Sequence, residues 1–80
     1  SLVANTTTIT VGGSATLTAS GASKFDWLQT DGTASGSFAN GDNTDGNNSW
    51  KATTSGSATL TVYDHSDHTR SAAVGITVNP

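Results

Sequence analysis

The chain has 80 residues, enough for one small domain that hides only a little over ~60% of the surface its unfolded form exposes. Hydrophobic residues make up 32% and charged residues 11%, while 15 threonines and 11 serines fill 26 of the 80 positions. The net charge is -3 and the only cations are Lys24, Lys51 and Arg70, so no basic footprint exists for phosphate backbones or anionic lipid, and neither nucleic acid nor membrane is expected as a partner.

All the acidic residues are aspartates, at Asp26, Asp31, Asp42, Asp45, Asp64 and Asp67, and leucine occurs only at Leu2, Leu17, Leu28 and Leu60. With glutamate and methionine absent, the best helix formers are mostly missing. Threonine, valine and isoleucine stiffen at Cβ and favour a pleated surface, and nine glycines supply turns, so the expected class is all-β. The chain has no cysteine, which removes disulfides, thiolate metal sites and a cysteine nucleophile, and leaves packing and sheet hydrogen bonds to hold it together. That suits bacterial, archaeal and phage surface proteins. No apolar run reaches membrane-spanning length, and an export signal, if one is used, is expected in a longer precursor.

Period-two alternation marks the strands in chain order. The first runs from Thr8 to Val11 with Ile9 and Val11 apolar; after Gly12-Gly13, Ser14 to Ser20 sets Ala15, Leu17 and Ala19 against Thr16 and Thr18. Lys24 to Gln29 sets Phe25 and Trp27 against Lys24, Asp26 and Leu28. The stretch from Thr30 to Asn48 is rich in glycine, asparagine and aspartate and offers one short strand near Gly36 to Ala39. Asn48 to Thr53 turns Trp50 and Ala52 one way and Lys51 the other. Ser57 to Tyr63 sets Ala58, Leu60 and Val62 against Thr59, Thr61 and Tyr63, and Arg70 to Asn79 sets Ala72, Val74, Ile76 and Val78 against Ala73, Gly75 and Thr77. Six or seven strands at this spacing predict a sandwich of two antiparallel sheets. Its expected core is Ile9, Leu17, Phe25, Trp27, Trp50, Leu60, Val62, Val74, Ile76 and Val78.

One hexapeptide occurs twice. Gly13-Ser14-Ala15-Thr16-Leu17-Thr18 returns as Gly56-Ser57-Ala58-Thr59-Leu60-Thr61. A solenoid needs several such units, so the repeat is read as two equivalent strands in facing sheets, each starting at a glycine turn and sending its leucine inward; chance repetition in a Ser/Thr/Ala-rich chain is the alternative.

Thr10-Val11-Gly12-Gly13-Ser14-Ala15-Thr16-Leu17-Thr18-Ala19, the aromatic strand Phe25-Asp26-Trp27, Ser55-Gly56-Ser57-Ala58-Thr59-Leu60-Thr61-Val62-Tyr63-Asp64 and the closing Ala73-Val74-Gly75-Ile76-Thr77-Val78-Asn79-Pro80 together resemble a bacterial immunoglobulin-like or PKD-like extracellular repeat domain. In those families the four blocks are strands B, C, F and G. The resemblance covers the chain apart from residues 30 to 48 and implies an extracellular immunoglobulin-like β-sandwich, residues 1 to 80, used as a spacer or adhesive module and often in tandem. The chain departs from the usual pattern in the asparagine-rich residues 40 to 48 and in Asp64-His65-Ser66-Asp67-His68, where relatives carry a shorter turn.

Candidate chemistry is sparse. Asp42, Asn43, Asp45, Gly46 and Asn47 invite a calcium reading, since hard cations want several oxygen ligands on a turn. In EF-hand register, however, the first ligand position falls on Gly41 and the twelfth on Ala52, and such residues in a loop are ordinarily turn formers. His65 and His68, with Asp64 and Asp67, form the only histidine cluster and could hold zinc or nickel, although no third histidine or cysteine exists. No nucleophile elbow or comparable pattern places a catalytic triad, so neither catalysis nor a cofactor is expected. Carbohydrate binding would need an exposed aromatic platform; alternation turns Phe25, Trp27 and Trp50 inward and leaves Tyr63 and Phe38 as the candidate ligand rings. Asn5-Thr6-Thr7 and Asn47-Asn48-Ser49 match the N-glycosylation pattern, which marks exposed positions in an archaeal or eukaryotic host.

The expected role is a non-catalytic structural or adhesive module of an extracellular or cell-surface protein, with neighbouring domains of the same chain, identical subunits or glycans as partners. Asn79-Pro80 reads like an interdomain junction. The alternative is a subunit or appended domain of an assembly such as a phage virion or extracellular filament, in which strand edges or the Leu2-Val3 arm pair with a neighbour.

Overall fold

Two sheets lie face to face because the alternating strands each carry one apolar side that has to be buried. The computed structural model describes residues 2–4 and 8–80, the first three by backbone alone. Among these residues there are eight strands and no helix: β1 (Leu2–Ala4), β2 (Thr8–Thr10), β3 (Ser14–Ala19), β4 (Phe25–Asp31), β5 (Gly36–Phe38), β6 (Asn47–Ala52), β7 (Gly56–Asp64) and β8 (Asp67–Asn79). One sheet has the order β1-β3-β6-β5; in the other, β8, β7 and β4 form an antiparallel trio to which short β2 is added at the β8 edge. Neither sheet closes on itself.

Three expectations are corrected. The Leu2-Val3 arm is a strand of this domain, with Leu2 opposite Ala19, so the strand count is eight and not six or seven. The sheets are not both antiparallel, because the chain crosses from the first sheet to the second between Ala4 and Thr8 and β2 then runs parallel to β8, Ile9 opposite Val78. The histidine segment, left between the expected strands that end at Tyr63 and begin at Arg70, is not all loop: only its turn separates β7 from β8, which begins at Asp67.

The repeated hexapeptide falls on β3 and β7, one copy in each sheet, and both Leu17 and Leu60 are fully enclosed. Each such leucine contributes about 1.5–3 kcal/mol relative to an exposed one. Around them pack Ile9, Phe25, Trp27, Trp50, Val62, Ile76 and Val78, with Val74 half-buried at the rim. Small residues complete the interior, and the fit is close: a Cβ on Gly36 would run into the Trp50 indole and the Lys51 carbonyl. Trp27 Nε1 donates to Thr44 Oγ1 at 3.0 Å, whereas the enclosed Trp50 Nε1 meets no acceptor among the described residues. Gly12, with φ of 87°, makes the turn between β2 and β3 in a conformation that side chains resist.

The register fixes which end each segment occupies. Leu2 lies opposite Ala19, whose N–H bonds the Gly46 carbonyl, near Thr44, Phe25 and the β7–β8 turn. Asn79 lies opposite Thr10, and Gly12 N–H bonds the Ala52 carbonyl at the other end. The described chain therefore enters at one pole and leaves at the opposite one of a body measuring 36 × 18 × 17 Å.

Candidate functional site

The first pole carries the one dense cluster of charged side chains among the described residues, and it is built around an aspartate. Asp26 sits on β4 opposite Tyr63 of β7, on the outer face as alternation expects, yet it is only 8% exposed. Its cover comes from a bulge. β7 and β8 keep one register from Gly56 opposite Val78 to Tyr63 opposite Ser71, after which Asp64 pairs with Asp67, so His68, Thr69 and Arg70 are extra residues on β8. A bulge bends its strand and re-aims side chains. Here it lays the His68 imidazole on the Tyr63 ring, centroids 5.0 Å apart, with Nε2 2.5 Å from Asp26 Oδ2. From the turn, His65 Nδ1 comes within 2.7 Å of Oδ1, and the Asn43 N–H donates to the same oxygen at 2.9 Å.

Burial of the Asp26 carboxyl works against ionisation, but the Asn43 N–H, the two imidazole bonds and the charge His65 can carry outweigh it. They hold the pKa at about 2 against the ordinary 3.8. The surrounding turn is tied by its own aspartates. Asp64 accepts from the Ser66 N–H and hydroxyl and from Arg70 at 2.9 Å, and Arg70 also donates to the Gly21 carbonyl at 2.7 Å. Asp67 accepts from the Thr69 hydroxyl at 2.6 Å and from its N–H, and these two bonds lower its pKa.

This geometry assigns each sequence candidate a place. His65 and His68 do come together, but on Asp26 and not on Asp64 or Asp67, and each approaches the carboxylate through one ring nitrogen. Asp45 accepts from the Asn47 N–H, Asn43 adopts φ of 58° in the same loop, and Asp42 is exposed nearby. Among the described residues no three histidine or aspartate side chains are grouped to hold a metal ion. Phe38 is not an outward ring: it lies opposite Trp50 on the inner side and packs on Trp27 at 6.2 Å, because β5 continues the first sheet over the core. Trp50 is fully enclosed and offers no ring to a sugar. Tyr63 is half-buried and stacked on His68. Asn47 is exposed, while Asn5-Thr6-Thr7 lies outside the described residues.

Two residues escaped the sequence reading. Asp26 was visible only as an outward strand position, and its partners lie 39 and 42 residues away. Asn48 reads in sequence as a strand end and the middle of a glycosylation triplet, yet it is buried and its amide clamps the Asn40 backbone through both N–H and carbonyl, a bond pattern that mimics a strand. Beside Asp26 the outer face holds a cleft of about 300 Å³ lined by Asp26, Trp27, Leu28, Asp42, Tyr63 and His68. No protein-family model, curated protein or solved structure matches the chain.

Proposed function

We propose that the chain is a non-catalytic, immunoglobulin-like structural or adhesive module that spaces or displays other parts of an extracellular or cell-surface protein. The observation that carries this reading is the passage of the chain from pole to pole of a 36 Å body. Copies or neighbours joined at such poles extend in a line, which is what a spacer requires. The immunoglobulin-like assignment is supported by strand order: β1-β3-β6-β5 facing β8-β7-β4 follows the order A-B-E-D facing G-F-C of constant-type domains, with β2 as an added edge strand. Hydroxyl-rich outer faces keep such a module soluble with little charge.

Small-angle scattering on concatemers of two and three copies tests the proposal. A rod that lengthens by about one 36 Å body per copy supports it; copies that collapse side by side overturn it. The open sheet edges favour a second reading, a subunit of an extended assembly such as a virion or filament. Light scattering on the single chain separates the two, since a spacer stays monomeric across concentration and an assembly subunit does not.

A further inference from the structure

The second sheet ends at β4, and only part of that edge is covered. Phe25 exchanges both of its backbone bonds with Thr44, at 2.8 and 3.1 Å, on the side away from β7. Bonding direction alternates along an antiparallel ladder, so Asp26 and Leu28 bond toward β7 while Trp27 and Gln29 turn their N–H and carbonyl groups outward. No backbone partner meets those groups among the described residues. The covering loop thus stops where a further strand could begin.

The cleft of about 300 Å³ lies directly beside this open stretch. Leu28, 54% exposed, and Tyr63 give it apolar walls. Both oxygens of Asp26 are occupied, but Asp42 is exposed and has no bonding partner among the described residues. A shallow cleft with apolar walls and a free carboxylate among its lining residues suits a side chain with an aliphatic stem and a cationic head. Asp31, exposed at the far end of β4, adds to the negative charge; Lys24 precedes the strand, and the His65 and His68 imidazoles are already engaged with Asp26.

We propose that β4 is a docking edge for an extended, basic segment of another protein, which adds as a strand against Trp27 and Gln29 and sends one lysine or arginine into the cleft toward Asp42. Backbone pairing would supply affinity and the cleft selectivity, as in other strand-addition complexes. The proposal is independent of the spacer reading, whose scattering test it leaves untouched.

The probe is a seven-residue peptide of alternating lysine and valine, titrated into the labelled chain and followed by amide NMR. Shifts concentrated at Trp27, Leu28 and Gln29, weakened by salt and by about threefold or more in Asp42→Asn, support the proposal. The same peptide with glutamate for lysine should not bind. Asp42 is exposed, so an unchanged reference spectrum confirms that the variant is folded. The proposal is overturned if Trp27 and Gln29 stay unmoved at millimolar peptide, if the glutamate peptide binds equally, or if Asp42→Asn binds as the parent does.

Discussion

Asp26 and His68 meet through Oδ2 and Nε2 at 2.5 Å although 42 residues separate them, and their contact fastens the β7–β8 hairpin to the edge strand β4. With His65 on the other oxygen and the Asn43 N–H beside it, one carboxylate ties together β4, the β7–β8 hairpin and the Asn43 loop, which no disulfide cross-links.

This cluster makes stability depend on acid pH. The Asp26 pKa is about 2 in the folded chain and near 3.8 when unperturbed, so its contribution is complete above 3.8 and is lost as pH falls through 3.8 toward 2. Asp26→Asn should melt below the parent at neutral pH, with the gap closing across that window. Thermal melts by circular dichroism at neutral pH and near pH 2 check this; an equal gap at both would contradict it. His68→Phe, which keeps a ring on Tyr63 but removes the bond, should move the Asp26 carboxyl titration upward.

The twin leucines should prove equivalent. Leu17→Ala and Leu60→Ala each delete an enclosed side chain from one of the facing sheets and should each cost about 2–5 kcal/mol in urea denaturation. Leu28→Ala, on the outer face, should stay within about 0.5 kcal/mol. A large loss at Leu28 or a small one at either twin would contradict the packing described.

These positions also show what could be read from sequence. Alternation places Leu17, Leu60, Ile76 and Val78 correctly because burial on one sheet face leaves a local period-two trace. Phe38 misleads because its strand has only three residues, too few to reveal a face. Asp26 is read as outward, and it is, but its burial depends on three extra residues in β8, and a bulge has no period. The parallel placement of β2 likewise follows from a sheet change that alternation within either strand does not record.

Two glycines should respond oppositely to alanine. A Cβ on Gly36 would strike the Trp50 ring and the Lys51 carbonyl, and neither can withdraw from a central strand, so Gly36→Ala should lower the melting temperature markedly. Gly41 has open space at its Cβ position and no positive φ, so Gly41→Ala should be neutral or stabilise by up to about 1 kcal/mol through the unfolded chain. Calorimetry on the two variants distinguishes these outcomes.

A module stretched between its poles bears load on particular strand pairs. Tension applied at Leu2 and Asn79 pulls β2 back along its axis while drawing β8 the other way, so the parallel contact of Thr8–Thr10 with Thr77–Asn79 is sheared and its hydrogen bonds resist together. The β4–β7 pair lies away from this line of force. Val78→Ala and Val62→Ala remove the same two methyl groups from buried sites and should destabilise by comparable amounts at equilibrium. In single-molecule stretching of a concatemer, Val78→Ala should lower the unfolding force clearly more than Val62→Ala. Equal reductions would mean that the β2–β8 contact is not the mechanical clamp.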